Sequence, residues 1–237
     1  MNEPDVMVYL MTGFLDSGKS QFLKFTLTQD YFQIDGTTLL ILCEEGEEEF
    51  DPLEMAKHGV KIIKIEEQEE LTEAFLNELH EKYSPERVVI EYNGMWKVSD
   101  FEALNLPEGW EIEQKLTTVD ASTFQMYLNN LKPLFVEMVR GAELVLFNRC
   151  TDIEPLAGYR RSVKVVSPQA EVIFEDENGE IENIFGDDVP YDLNAPVIEI
   201  PREDYGIWYV DVMENPDRYK GKAVSYTHLT LPTTPYV

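Results

Sequence analysis

The sequence predicts an α/β fold in which a mainly parallel sheet lies between two layers of helices, and three observations support this. Short apolar segments with strand character alternate along the chain with segments of helical periodicity. The first apolar segment, residues 6–12, runs directly into a glycine-containing turn and a helical pattern. The chain has 237 residues, 43% of them hydrophobic, which is enough for one large domain with a substantial core.

The turn after the first strand follows the pattern G-x-x-x-x-G-K-[ST] at every fixed position. Its glycines let the backbone curl so that successive N–H groups point at a phosphate, and the following helix adds its positive N-terminal end. Its lysine can reach the β- and γ-phosphates, and its last hydroxyl can bind Mg²⁺. The pattern therefore predicts the three-layer fold of P-loop NTPases. The residues predicted to bind the nucleotide are Gly13, Phe14, Leu15, Asp16, Ser17, Gly18, Lys19 and Ser20.

Glu91 ends the predicted strand of residues 87–91. A strand-terminal acid beside a P-loop is expected to hold Mg²⁺, so we expect Glu91 and Ser20 to bind the metal together. The alternative is an exposed glutamate at a strand-to-turn junction. Gly94 follows three residues later, where its backbone N–H is expected to approach the γ-phosphate.

Glu44 directly follows the predicted strand of residues 37–43, at the end where open parallel sheets bind their ligands. We expect Glu44, or Asp16 of the turn, to position the attacking water. The acidic residues within 47–51 are expected to form a solvated loop, because so many carboxylates cannot be buried together.

The alternation of strands and helices continues as far as residue 147, which implies right-handed βαβ units. The further predicted strands are residues 60–65, 116–119 and 142–147, and the further predicted helices are residues 70–83, 122–131 and 133–140.

The pattern changes from residue 170 onward. Asn178-Gly179 separates two strand-like segments, residues 171–174 and 180–184, and is a strong hairpin signal. Three prolines then mark a linker-like stretch. Residues 205–212 are predicted to be a strand of a second, small β domain.

These observations divide the chain into residues 1–198, a nucleotide-binding domain; residues 199–223, a linker with the truncated start of the β domain; and residues 224–237, a tail. The tail contains no Asp, Glu, Lys or Arg in a chain that is 27% charged. Its start, VSYTHL, is also encoded by a common transposase sequencing adapter. We therefore expect the tail to be an artefact of sequence assembly. The alternative is a genuine polar terminus rich in Thr and Pro.

The composition excludes several classes of function. The net charge of −27 argues against nonspecific binding to nucleic acid or anionic lipid, since both are polyanions. No run of 18 apolar residues exists that would span a membrane, and the acidic N-terminus does not resemble a secretory signal. The two cysteines form no CxxC pattern. We expect a cytoplasmic protein with reduced thiols.

Five short motifs occur in a fixed order along the chain: TGFLDSGKS, LCEEGE, VIEYNG, TTVDASTF and LVLFNR. Together they resemble the CobW/HypB/UreG family of P-loop GTPases, especially its CobW-like branch, over roughly residues 6–185. The resemblance implies that the chain binds GTP with Mg²⁺. It also implies that the nucleotide state is coupled to metal delivery or to a metalloenzyme partner.

One departure from the family concerns its Cys-x-Cys-Cys metal motif. Residues 65–68 stand in the interval where the motif is expected, and they include no cysteine. Thiolates are what such a site uses for zinc or cobalt, so the usual metal-transfer site is expected to be absent. Cys43 occupies the position of a family asparagine and cannot replace three thiolates alone.

A second departure concerns the motif Asn-Lys-x-Asp, whose aspartate reads guanine. Here the run is Asn148-Arg149-Cys150-Thr151, with Asp152 one position late. The resemblance implies that Asn148, Arg149 and Asp152 contact the nucleotide. Either Asp152 reaches the base through a one-residue bulge, or base selectivity is relaxed; guanine is favoured.

The predicted function is therefore that of a GTP-binding protein that hydrolyses GTP with Mg²⁺, with Lys19, Glu44 and Glu91 as catalytic residues. Its partner is expected to act in metal homeostasis or metalloprotein assembly. The alternative is a nucleotide-dependent regulatory module with negligible turnover, acting for example with a membrane permease. A third hypothesis, a small-molecule kinase, is weakened because Arg160-Arg161 is the only close arginine pair.

Overall fold

One large sheet organises the computed structural model, which describes residues 5–44, 46, 49–153, 156–181, 189 and 191–226. The strands of this sheet are β1 (Val6–Thr12), β2 (Thr38–Leu42), β3 (Val60–Lys64), β4 (Arg87–Glu91), β5 (Trp110–Asp120), β6 (Leu144–Asn148), β7 (Glu171–Asp176) and β8 (Gly179–Glu180). Their spatial order is β3-β2-β4-β1-β5-β6-β7-β8. Every neighbouring pair is parallel except β7 and β8.

The central strands are buried on both faces. All five residues of β2 (TLLIL) and all five of β4 (RVVIE) are buried, which explains why these segments read as continuous apolar runs and show little alternation. Both ends of β4 carry a charge: Arg87 is buried and donates to the Phe32 carbonyl oxygen, whereas Glu91 is a carboxylate with only 2% of its surface exposed. A buried charge of this sort needs a partner, so it points to the site described below.

Helices cover both faces of the sheet. They are α1 (Lys19–Leu27), α2 (Pro52–Lys57), α3 (Glu73–Tyr83), α4 (Val98–Glu102), α5 (Ala121–Asn130), α6 (Lys132–Val139) and α7 (Leu156–Lys164), with short 3-10 turns at Asp30–Phe32 and Gln68–Glu70. Helices α1 and α2 pack on one face through Leu23, Leu27 and Met55. The other face packs against α3 to α7. The predicted α/β fold with a mainly parallel sheet and three layers is therefore confirmed.

The strand order brings the carboxyl ends of five strands to one edge of the sheet. Strand β4 lies between β2 and β1, so that Glu91 is level with Leu42 on one side and Met11 on the other. Beyond β1, Asp120 of β5 is level with Asn148 of β6. The carboxyl ends of parallel strands are where open α/β sheets bind ligands, so this edge is the place to look for a site.

The chain after β6 forms the hairpin that was predicted, with its turn one residue earlier. Asp176 of β7 pairs with Gly179 of β8, so Glu177 and Asn178 are the two loop residues. The Asp176 side chain accepts a hydrogen bond from the Asn178 backbone N–H at 2.7 Å, which stabilises this turn. Of the predicted strand at residues 180–184, residues 182–184 lie outside the described part of the chain.

The C-terminal part forms a small β-α-β unit with its own core. Strands β9 (Val197–Ile200) and β10 (Ala223–Tyr226) are parallel, and α8 (Tyr205–Glu214) and α9 (Pro216–Tyr219) connect them after a 3-10 turn at Arg202–Asp204. The predicted small second sheet is thus confirmed. The first three residues of the predicted tail belong to β10, and residues 227–237 lie outside the described part. The domain boundaries remain predictions.

The prediction that residues 205–212 form a strand is wrong, because they belong to helix α8. Their aromatic and β-branched composition favoured a strand. In the structure, Tyr205, Trp208 and Val212 all pack against the same small core, and their spacing of three and four residues places them on one helical face. Burial of this helical face overrides the local preference for β structure.

No helix in the described part of the chain has both the length and the apolar content needed to cross a membrane.

Candidate functional site

The P-loop connects β1 to α1 by a tight turn that depends on glycine. Gly18 has a φ of 91°, in the left-handed region, and stands immediately before the first residue of α1. A side chain is excluded there for a second reason, since a Cβ atom would lie 2.5 Å from the Asn148 side-chain nitrogen. The predicted loop thus has the curled backbone that directs N–H groups toward an anion.

Lys19 lies at the centre of this turn and is almost fully buried, with 3% of its side chain exposed. Its ammonium group donates to the carbonyl oxygens of Gly13 and Phe14, both at 2.9 Å. Its third partner is the Glu44 carboxylate, with 2.5 Å between Nζ and Oε2. These three acceptors together compensate the buried charge.

Glu44 joins the P-loop to the segment after β4. While one of its oxygens accepts from Lys19, the other accepts from the Gly94 backbone N–H at 3.3 Å. Lys19 and Gly94 are the two donors predicted to contact the γ-phosphate, so the Glu44 carboxylate lies where that anionic group is expected. A bound γ-phosphate and this position of Glu44 exclude each other. No local pattern in the sequence predicts this contact, because it depends on the order of the strands.

Ser20 and Glu91 lie side by side beneath the loop. The Ser20 hydroxyl donates to Glu91 Oε1 at 2.6 Å, whereas Glu91 Oε2 is buried and has no hydrogen-bond partner in the described part of the chain. Burial raises the pKa of Glu91, and the Ser20 hydrogen bond and the Lys19 charge oppose that rise. A hydroxyl and an orphaned carboxylate oxygen are hard ligands of the type that Mg²⁺ prefers, so these residues fit the metal.

Gly94 packs directly against the P-loop. A Cβ atom at this position would lie 2.5 Å from the Gly13 carbonyl oxygen and 2.8 Å from the Phe14 Cα atom. Both contacts are to backbone atoms, which cannot move aside by a change of side-chain rotamer. The glycine was predicted for its N–H group, and the structure adds a requirement for close approach between two loops.

Gly94→Ala is therefore expected to displace the P-loop. We expect overpacking to lower the free energy of unfolding by about 1–3 kcal/mol and to weaken nucleotide binding at the same time. Urea denaturation and titration with fluorescent mant-GTP measure the two effects. The control is Gly206→Ala in α8, whose added Cβ meets a side chain that can move, the Cδ of Arg161 at 2.8 Å. Equal stability and affinity in Gly94→Ala and wild type would contradict the expectation.

Asn148 and Arg149, at the end of β6, donate hydrogen bonds to the backbone of the P-loop. The Asn148 amide donates to the Ser17 carbonyl oxygen at 2.8 Å. Arg149 donates to the Asp16 carbonyl oxygen at 2.8 Å and forms an ion pair with Asp120 at 2.6 Å. Burial alone would raise the pKa of Asp120, but its hydrogen bonds from Ser122 and Arg149 outweigh this effect and lower it. Both predicted nucleotide contacts thus hold the P-loop backbone.

A groove runs from the P-loop along α1 toward the hairpin between β7 and β8. Thr151 lines this groove, whereas Asp152 does not. The Phe25 ring at the groove is 61% exposed, which leaves an apolar surface on which a planar group can stack. Asp152 is exposed and does not line the groove, so its predicted contact with the base stays a prediction. The other residues that line the groove are Gly18, Gln21, Phe22, Leu146, Asn148, Arg149, Glu175, Asp176 and Glu177.

The structure brings the predicted residues of the site together at one edge of the sheet, with Asp152 as the exception. A single pocket is lined by the exposed residues Leu15 and Asp16 of the loop together with Lys19, Glu44 and Glu91. Ser17 points away from this pocket toward Thr118, to which its hydroxyl is hydrogen-bonded at 2.9 Å.

No group of three or more metal-binding side chains of His, Cys, Asp or Glu occurs in the part of the chain that the structure describes. Cys43 and Cys150 are both buried and unpaired as thiols. Burial, followed by the negative charges of Glu91 and Glu44, raises the pKa of the Cys43 thiol far above its ordinary value. The thiol is therefore poorly suited to bind a metal, since a ligand must be deprotonated.

Comparisons with known proteins agree with this geometry. The family model described as CobW/HypB/UreG, nucleotide-binding domain, matches residues 7–174. The hydrogenase maturation factor HypB from Archaeoglobus fulgidus is similar with a TM-score of 0.52 and 16% identity, over 73% of this chain and 83% of that one. No curated protein sequence gives a significant match.

The Zn(II)-bound YjiA GTPase from E. coli is similar with a TM-score of 0.56 and 21% identity, over 77% of this chain. The match spans 60% of the length of the YjiA chain. Both structural similarities are at low identity and bear on the fold alone.

Proposed function

This chain belongs to the CobW/HypB/UreG family, and on that premise we propose that it is a Mg²⁺-dependent GTPase whose nucleotide state controls a protein partner. One observation carries the proposal. The Lys19 ammonium and the Gly94 N–H converge on a single carboxylate at the mouth of the P-loop. Donors arranged in this way around an anion favour a phosphate group in the same position.

The contacts of Glu44 suggest how nucleotide binding changes the protein. An arriving γ-phosphate takes over the Lys19 and Gly94 donors and releases Glu44. Glu44 directly follows β2, so its release changes the position of this carboxylate at the carboxyl end of that strand. Loss of the γ-phosphate by hydrolysis allows the carboxylate to return. A partner that recognises the position of Glu44 would then distinguish the GTP state from the GDP state.

The roles of the chain's own residues follow from the chemistry of phosphoryl transfer, in which positioning and charge stabilisation dominate. Lys19 and the loop amides neutralise the phosphates, and Ser20 and Glu91 hold the metal. Bound Mg²⁺ supplies charge neutralisation at the β- and γ-phosphates. Glu44, once released, remains beside the γ-phosphate position and is the better candidate to orient the attacking water, with Asp16 as the alternative.

A partner in metal homeostasis or metalloprotein assembly is the second part of the proposal. Its support is the family and the hydrogenase maturation factor among the similar structures. The acidic surface of the chain, with a net charge of −27, favours a partner with a complementary basic surface.

The test measures nucleotide binding and turnover of the full chain. Titration with mant-GTP, mant-GDP and mant-ATP, in Mg²⁺ and in EDTA, is expected to show preference for guanine nucleotides and tighter GTP binding with Mg²⁺. Single-turnover assays with γ-labelled GTP are expected to release phosphate faster than solvent background. Absence of saturable binding to all three nucleotides would contradict the proposal.

A regulatory module with negligible turnover is the second candidate function. The buried contact between Lys19 and Glu44 favours it, because a P-loop lysine held by a carboxylate is not free to stabilise the transition state. Saturable Mg²⁺-dependent GTP binding, together with phosphate release at background rate, would select this function over the GTPase.

A further inference from the structure

Glu175, on strand β7, lies beside Asn148 of the neighbouring strand β6, and both residues line the groove. The register of β6 and β7 pairs Phe147 with Phe174, so the next residue, Glu175, comes level with Asn148. The Cys150 backbone N–H donates to the Glu175 carbonyl oxygen at 3.0 Å, which fixes this residue beside the turn that contains Thr151. Glu175 is thus anchored through its backbone at the place where the base-reading motif lacks its aspartate.

The Glu175 side chain lies on the groove side of the sheet. Side chains alternate along a strand, and the register places Leu146 level with Ile173. Leu146 and Asn148 both line the groove, and Glu175, two residues after Ile173, lines it with them. The partly exposed carboxylate has no hydrogen-bond or ion-pair partner among the described residues, so it is available to a ligand.

We propose that Glu175 reads the guanine base in place of the missing aspartate, an inference that rests on the proposed function of nucleotide binding. Guanine presents two donors on one edge, N1–H and the N2 amino group, and a carboxylate accepts both at once. Adenine presents an acceptor at N1, which a carboxylate repels. Phe25 and Phe22 offer the apolar face on which the purine stacks.

The neighbouring acids are less suitable than Glu175. Asp176 is engaged locally, because its Oδ1 atom accepts from the Asn178 N–H at 2.7 Å. Glu177 is an exposed loop residue of the hairpin, with no strand partner to hold it. Glu175 is the acid whose strand position and backbone hydrogen bond both place it beside Asn148.

The test replaces the Glu175 carboxylate, whose two oxygens both accept hydrogen bonds, with an amide. Glu175→Gln is expected to bind GTP roughly ten- to hundredfold more weakly than wild type, measured by competition with mant-GDP. The same variant should prefer xanthosine triphosphate, because the glutamine nitrogen can donate to the xanthine C2 carbonyl. Glu175→Ala is expected to lose GTP affinity by a similar factor without gaining xanthosine triphosphate binding. Wild type should bind inosine triphosphate, which lacks the N2 amino group, more weakly than GTP.

The matched control is Glu171→Gln, which makes the same change on the same strand and the same sheet face, four residues earlier. It should leave the order of nucleotide affinities unchanged. The inference is overturned if both Glu175 variants keep the wild-type affinity for GTP, or if Asp152→Asn produces the xanthosine preference instead. Such a result leaves the proposed function standing, whereas failure of wild type to bind any nucleotide removes the proposed function itself.

Discussion

Replacing Lys19 with alanine is expected to lower the affinity of the chain for GTP about 100-fold or more. Among the described residues, Lys19 is the cation that lies inside the curled turn, and only 3% of its side chain is exposed. Charge-assisted hydrogen bonds to phosphates in such a site are individually strong, and the lysine is expected to make two of them. Titration with mant-GTP in the presence of Mg²⁺ measures the loss.

The matched control is Lys24→Ala, which removes one positive charge from the last turn of the same helix. The net charge changes equally in both variants, so the general electrostatic effect of the acidic surface cancels. Lys24 is partly exposed, and its ammonium group donates to the Glu49 carbonyl oxygen at 3.2 Å, outside the P-loop. Lys24→Ala is expected to bind GTP within about twofold of wild type, since a partly exposed charge at this distance is largely screened. Similar losses in the two variants would show that long-range charge, and not the site, governs affinity.

A double variant separates two causes of the expected loss. In Lys19→Ala, Glu44 remains near the phosphate position without its partner and repels the nucleotide. Lys19→Ala with Glu44→Gln removes this repulsion. If the ammonium group itself binds the phosphates, the double variant stays well below wild-type affinity. Full recovery of GTP affinity would instead mean that Lys19 only neutralises Glu44.

The fold and the location of the site followed from local patterns. The spacing of Gly13, Gly18 and Lys19 is read directly from the sequence, because one short turn supplies the whole phosphate cradle. Glu91 was identified because an acid that ends an apolar strand beside a P-loop is the expected place for a Mg²⁺ ligand. Such features depend on neighbours in the chain, so the sequence contains the information needed to find them.

Contacts between distant segments were not predictable in the same way. The Lys19–Glu44 ion pair requires β4 to lie between β1 and β2, and no local pattern reports strand order. The same holds for Glu175, which becomes a candidate only when the register of β6 and β7 places it next to Asn148. Glu175 looked like a member of a generally acidic surface, whereas Glu44 was expected at the site but not as the ion-pair partner of Lys19.

Helix α8 shows a different limit of predicting structure from the sequence. Its sequence, YGIWYVDVME, is apolar on most sides, and its β-branched and aromatic residues favour a strand. The helix forms because the small C-terminal core accepts Tyr205, Trp208 and Val212 together. Asp211 on the same helix is fully buried and is compensated by Arg218 at 3.0 Å. Neither the core nor this partner can be recognised before the chain is folded.

Glu91→Gln is expected to abolish the dependence of GTP binding on Mg²⁺ and to reduce turnover by about 100-fold or more. The change keeps the shape of the side chain and an oxygen that can accept the Ser20 hydrogen bond, so the fold should be preserved. It removes the negative charge that the metal requires. Binding of mant-GTP across a Mg²⁺ titration, followed by single-turnover hydrolysis, measures both effects.

The sign of the effect in EDTA makes this prediction specific. Without metal, the wild-type carboxylate repels the phosphates, so Glu91→Gln is expected to bind GTP at least as tightly as wild type under those conditions. Damage to the fold would weaken binding with and without Mg²⁺ alike. The control Glu86→Gln makes the same change at an exposed position beside the opposite end of β4 and should match wild type in both buffers. If Glu91→Gln keeps the full Mg²⁺ enhancement of wild type, Glu91 is not a ligand of the metal, and the buried orphan oxygen has another cause.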